Sequence, residues 1–258
     1  VTLLGAVLVP EFFLKKRSND RGKILYNFLS ITMLNFKNNI AKVEGWLTEA
    51  EGIFLYETAK KVRPGNAILE IGSWKGKSTI CLGKGTQQGN EVQVYAVDPH
   101  IGSSEHQKMF GKVDTYQEFL QNIKNAGVEK YVEPIRKTSE EASKNIRKSI
   151  GFLFVDGAHE YKFVNLDYKL WFAKVVDQGV VAFHDSWHFP GPHLVTAKML
   201  LFSSAIKNPQ LIDTITSFTK VNKNSFFDRI YNIGFLFFRL IFGFYGFLKL
   251  KYKGSVIK

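Results

Sequence analysis

The stretch Ala67-Ile68-Leu69-Glu70-Ile71-Gly72-Ser73-Trp74-Lys75-Gly76-Lys77-Ser78 constrains this chain more than any other. A short apolar run ends in an acid and a glycine turn. Ser78-Thr79 then opens an apolar stretch with helical character. Strand, glycine turn and helix N-terminus form a βα corner of the nucleotide-binding kind, because the glycines let the backbone come close to a ligand. A second apolar run, residues 92–97, ends in Asp98. An acid about 20 residues past such a corner suits a ribose diol, since a carboxylate accepts two hydroxyl protons.

Several readings compete for the corner. A phosphate-binding P-loop needs four residues between its glycines, and only three separate Gly72 from Gly76, so Gly76-Lys77-Ser78 is a near miss. A dinucleotide fingerprint needs Gly-x-Gly-x-x-Gly, and Trp74 fills its second glycine position. S-adenosylmethionine carries an adenosine and an amino acid but no phosphate. It requires one close backbone approach and a ribose acid. An ordinary βα turn is the fourth reading, and the spacing of Asp98 speaks against it.

Further motifs follow in order. Gly45-Trp46-Leu47-Thr48-Glu49-Ala50-Glu51-Gly52 precedes the corner. After it come Ala96-Val97-Asp98-Pro99-His100, Phe154-Val155-Asp156-Gly157-Ala158-His159-Glu160-Tyr161 and Ala182-Phe183-His184-Asp185-Ser186. From about residue 43 to 221 this series resembles the class I S-adenosylmethionine-dependent methyltransferases. It is most similar to the bacterial group that includes sugar and macrolide-glycoside O-methyltransferases. The resemblance implies a Rossmann-like, doubly wound, mostly parallel seven-stranded sheet. It also implies S-adenosylmethionine as cofactor and a glycan or other small hydroxylated acceptor.

The hydrophobic pattern agrees with an α/β fold. Strands are expected at residues 67–71, 92–97, 132–135, 152–155 and 180–183. Helical stretches are expected between them, near 78–83, 115–126, 139–146 and 160–176. Thr48 and Glu51 have capping-box spacing at the head of a helix over 48–62. A helix is expected over 195–206, and 211–221 reads as the late antiparallel strand region. In a parallel sheet covered on both faces the site lies at the carboxyl ends of the strands. Gly72, Asp98, Ser139, Asp156 and His184-Asp185 each follow a strand.

Methyl transfer to oxygen aligns acceptor, carbon and sulfur in line and removes the acceptor proton. By the resemblance, His159 is the expected general base, with Asp156 and Asp185 beside it. The expected cofactor contacts are Glu70, Gly72, Ser73, Gly76, Ser78, Asp98 and Ser139. In metal-dependent relatives, acids at the positions of Asp156 and Asp185, with a further carboxylate beside the second, bind magnesium. Here that further position is His184. Mg²⁺ prefers hard oxygen ligands, while Mn²⁺ tolerates imidazole better. The expected divalent site (Mg or Mn) thus comprises Asp156, His184 and Asp185. The alternative is a metal-free site in which Asp185 orients a histidine. Trp187, His188, Phe189 and His193 form the candidate acceptor loop. A nicotinamide-dependent oxidoreductase and a non-catalytic membrane-associated binding protein on the same fold are the rival functions.

The length of 258 residues suits one domain with a full core. It divides into a helical extension (1–42), the methyltransferase-like domain (43–221) and a basic tail (222–258). The single Cys81 excludes an intramolecular disulfide and fits a reducing compartment. A secretory signal is not expected, because the opening apolar stretch lacks a basic segment before it. The net charge is +12, and half of it lies in the tail, where seven basic residues stand against Asp228 alone. No nucleic-acid partner is expected from so uneven a charge. Residues 230–248 are almost wholly apolar, with Arg239 in the middle. Asp228, Arg229, Asn232, Arg239, Gly243 and Gly246 form one polar stripe, and Lys249, Lys251 and Lys253 follow. This predicts an amphipathic helix lying in the plane of a membrane, with the enzyme cytoplasmic at the inner face of the cytoplasmic membrane. A homo-oligomer interface, a helix docked on the core and a true span are the alternatives.

Overall fold

The computed structural model describes residue 40 and residues 42–255. The helical extension expected over residues 1–42 lies outside them, apart from residues 40 and 42. A seven-stranded sheet runs in the order β3-β2-β1-β4-β5-β7-β6. The strands are β1 (Ala67–Ile71), β2 (Val94–Val97), β3 (Val132–Ile135), β4 (Ile150–Val155), β5 (Val175–Phe183), β6 (Ile206–Ile212) and β7 (Ile215–Lys220). The first five pair in parallel, while β7 runs antiparallel to β5 and β6 antiparallel to β7. This is the Rossmann-like arrangement of class I methyltransferases.

The helices are α1 (Glu49–Lys60), α2 (Lys77–Gln87), α3 (Ser104–Phe110), α4 (Tyr116–Asn125), α5 (Ser139–Ser143), α6 (Tyr161–Trp171), α7 (Pro190–Phe202) and α8 (Phe226–Ser255). β1 is buried at every position, as a central parallel strand must be. Leu69, Leu153, Val181 and Phe183 meet Trp171 and Met199 in one core. Cys81 lies in the core with no exposed surface.

Three expectations are corrected. The helix expected over 160–176 ends at Trp171, because residues 172–174 form a 3-10 turn and β5 begins at Val175. The helix expected over 195–206 runs from Pro190 to Phe202, since a proline in the first turn loses no hydrogen bond there. The late antiparallel region expected over 211–221 begins earlier, at Ile206, and is a hairpin turned at Asp213-Thr214 with Asp213 in the left-handed region (φ +46°).

Two residues of the polar stripe of α8 point into the domain. Asn232 donates to Ile206 O at 3.0 Å. Arg239, fully buried, donates to Thr196 Oγ1 at 2.7 Å, Thr216 Oγ1 at 3.0 Å and His193 O at 3.3 Å. Burial pulls the Arg239 guanidinium down to about 10. Asn232 and Arg239 thus face the body of the domain, because a buried charge needs fixed dipoles that only protein supplies there, while Arg229 of the same stripe is exposed. Phe226, Phe227, Ile230, Tyr231, Phe237, Phe238, Leu240 and Ile241 stand outward, between 44% and 79% exposed. Among the described residues no helix is long and apolar enough to cross a membrane.

Candidate active site

The glycine corner is built by backbone constraint. Gly72 is left-handed (φ +86°), and a Cβ there would lie 2.2 Å from Asp156 O. Only glycine lets the ends of β1 and β4 approach so closely. Gly76 (φ +92°) opens α2. Glu70, fully buried, gathers the corner beneath the turn. Its Oε2 accepts from Ser73 Oγ at 2.9 Å and Thr79 Oγ1 at 2.5 Å, while its Oε1 has no partner. Burial raises the Glu70 carboxyl to about 7, against the pull of the Ser78, Thr79 and Ser73 hydroxyls.

Asp98, at the end of β2, closes the corner from the other side. Its Oδ2 accepts the amides of Ser73 and Trp74, each at 2.8 Å, and its Oδ1 accepts the amide of His100 at 2.6 Å. Glu70, Gly72, Ser73, Gly76, Ser78 and Asp98 therefore converge. Ser139 is turned elsewhere: its Oγ accepts from Trp171 Nε1 at 2.8 Å. It also holds Asp167, whose carboxyl burial raises to about 6.

The ends of β4 and β5 carry the second cluster. Asp185, in the left-handed region (φ +51°), has its Oδ2 3.3 Å from His159 Nε2 and 3.2 Å from His184 Nδ1. Burial alone would raise the Asp185 carboxyl, but His159 and His184 hold it below the usual carboxylate range. Asp156 Oδ1 lies 3.0 Å from His184 Nδ1. Burial raises the Asp156 carboxyl, and His184 opposes the rise. Burial works against charge on His184, yet Asp156, Asp185 and Glu51 together raise it far above the imidazole range. Asp156, His184 and Asp185 offer ligand atoms within 4.8 Å of one another.

The segment expected to meet an acceptor, residues 187–193, divides between turn and helix. The Phe189 ring stacks on His159 at 3.9 Å with planes 23° apart. Exposed His188 lies 3.8 Å from Asp185 through Nδ1. Trp187 is partly buried in the same turn. His193 belongs to α7, where burial and Arg239 lower it. Gly191 explains the closeness of this segment to His159, for a Cβ there would sit 2.0 Å from His159 O.

Sequence spacing makes Glu51 only a helix cap. It does accept the Thr48 amide at 2.9 Å, but it also accepts the Thr214 amide at 2.9 Å and the Thr214 hydroxyl at 2.6 Å. Its Oε2 lies 3.4 Å from His184 Nε2. Burial would raise this carboxyl, but the His184 ring and these donors hold it at about 2. No local spacing links residues 51, 184 and 214; the sheet brings them together.

Residues 69–186 match the family model described as a methyltransferase domain. A protein of Sinorhizobium fredii, y4gI, described as uncharacterized, is 31% identical over 121 residues. That match covers 46% of this chain and 13% of the relative's length. Among solved structures the chain is similar to the O-methyltransferase NovP, with TM-score 0.58 and 15% identity over 67% of this chain and 80% of that one. It is also similar to the O-methyltransferase TomG from Streptomyces achromogenes, solved with S-adenosylmethionine, with TM-score 0.51 and 14% identity over 82% and 93% of the two chains. A third is the methyltransferase MycE, solved with Mg, S-adenosylhomocysteine and mycinamycin VI, with TM-score 0.50 and 15% identity over 74% of this chain and 54% of that one. At such identities the likeness concerns the fold.

Proposed function

We infer, from a chain that carries a class I methyltransferase domain over residues 69–186, that it is an S-adenosylmethionine-dependent O-methyltransferase. Its acceptor is a sugar, a glycan or another small polyhydroxylated molecule. One observation carries this reading: the Gly72–Asp98 corner and the His159–Asp185 pair stand at the carboxyl ends of the same parallel sheet.

When bound, S-adenosylmethionine supplies an activated methyl group. The residues present suit it. Buried Glu70 Oε1 lacks a partner, and a ligand ammonium is one that chemistry supplies. Asp98 retains lone pairs for ribose hydroxyls beside the loop amides. His159 takes the acceptor proton. With Nε2–H donated to Asp185, the lone pair of the neutral ring is on Nδ1, and Asp185 stabilises the charge that develops. Phe189 fixes the ring plane. His188 and Trp187 face the polar and apolar sides of the acceptor. A divalent cation held by Asp156, His184 and Asp185 would polarise and orient acceptor oxygens.

The nicotinamide reading has no comparable support: Trp74 stands left-handed (φ +46°) where a dinucleotide turn places its second glycine. We further propose that α8 meets an anionic lipid surface, such as the inner face of a cytoplasmic membrane, through its outward apolar side. The lysines at its end and the self-repulsion of two +12 chains favour lipid over a second copy.

Calorimetry with S-adenosylmethionine tests the cofactor, and methyl transfer to a glycan panel tests the base. Micromolar binding is expected, and His159→Ala should lower turnover roughly 10²–10⁴-fold with cofactor affinity almost unchanged. Absence of binding would sink the methyltransferase reading. Turnover of His159→Ala within about tenfold of the parent would remove His159 as base.

A further inference from the structure

His184 is 4% exposed, and its Nδ1 has no hydrogen-bond partner although two carboxylates stand close by. Asp156 Oδ1 at 3.0 Å and Asp185 Oδ2 at 3.2 Å flank that nitrogen. Donors about 2.1 Å from a shared ion, at right angles, are about 3.0 Å apart. The spacing around Nδ1 is that of cis ligands, and the atom that would face the ion is the orphaned one.

The ring's other nitrogen has a partner of a different kind. Glu51 Oε2 lies 3.4 Å from His184 Nε2, and Glu51 is itself pinned by Thr48 and Thr214. A carboxylate on the distal nitrogen fixes the tautomer and plane of a ligating histidine, so that the lone pair points at the ion. Imidazole in place of a third carboxylate also changes the preferred ion. Nitrogen donors suit first-row transition ions, whereas Mg²⁺ favours oxygen and water.

We propose that Glu51 is a positioning residue for a divalent site formed by His184 Nδ1, Asp156 and Asp185, and that this site selects a first-row transition ion over Mg²⁺. The proposal rests on reading this cleft as the transfer site. It concerns metal choice, and it can fail while the methyltransferase reading stands.

The test uses the full chain with Mn²⁺ and Mg²⁺ as separate probes, and S-adenosylmethionine affinity measured in parallel. Mn²⁺ should bind at least about tenfold more tightly than Mg²⁺. Pulsed electron paramagnetic resonance of the Mn²⁺-loaded protein should show modulation from a coordinated imidazole nitrogen. Glu51→Gln should weaken Mn²⁺ binding by about 10–100-fold while cofactor affinity stays within about twofold. His184→Asp should abolish the nitrogen modulation and narrow the Mn²⁺ to Mg²⁺ ratio. Should Glu51→Gln fail to fold, Glu51→Asp keeps the charge, withdraws it by one methylene and should weaken Mn²⁺ in the same sense. No Mn²⁺ binding, no nitrogen modulation, or undiminished Mn²⁺ affinity in the folded Glu51 variant would each overturn the proposal. Loss of cofactor binding in the unmodified chain would instead strike the methyltransferase reading.

Discussion

Asp98 Oδ2 accepts hydrogen bonds from the backbone amides of Ser73 and Trp74, each at 2.8 Å. The acid read from the sequence as a ribose contact is thus also the clamp on the glycine corner. Asp98→Ala should lose cofactor affinity and, in addition, lower the stability of the ligand-free protein by about 1–3 kcal/mol, because amides lose a charged acceptor. Thermal unfolding without ligand separates the two roles. An unchanged melting temperature would mean that the clamp contributes nothing.

Gly191 lies against the backbone of His159, with its virtual Cβ 2.0 Å from His159 O. Gly191→Ala should push His159, the proposed base, away from Asp185, since backbone cannot yield as a flexible side chain can. Its kcat should fall about 10-fold or more while S-adenosylmethionine binding is retained, because small misplacements cost much in rate. Equal losses in both would indicate general damage to the fold instead.

Glu70 gives a pH signature. Burial raises its carboxyl from 4.5 to about 7 in the folded protein. Between those values the folded state holds a proton that the unfolded state has released. This group therefore lowers stability as pH rises through that window. Glu70→Gln should be more stabilising, or less destabilising, at pH 8 than at pH 5. Urea midpoints of both proteins at the two pH values check this, and a difference independent of pH would refute it.

The outward side of α8 should carry the protein onto vesicles containing phosphatidylglycerol and leave it in solution with neutral phosphatidylcholine. Phe237 and Ile241 are 60% and 68% exposed, so a Phe237→Glu/Ile241→Glu pair should abolish sedimentation with vesicles and leave the melting temperature near the parent's. Concentration-dependent dimerisation that the same pair abolishes, without vesicle binding, would assign the face to a second copy.

The sequence by itself determined the alternation of strands and helices, because apolar period and glycine placement are local properties. β1 and β3 begin and end where the pattern puts them. It also determined which acids and histidines follow strands, since parallel sheets collect those positions at one edge. Tertiary structure decided the rest. The hairpin of β6 and β7 depends on pairing with β5, which apolar spacing cannot reveal. Ser139 drew toward Trp171 because a buried indole N–H needs an acceptor. Arg239 of α8 turned inward because it finds two threonine hydroxyls and a carbonyl on α7 and β7. Glu51 joined His184 across 133 positions of chain. Hydrogen-bond satisfaction of buried polar groups is a property of the assembled fold, and no window of sequence contains it.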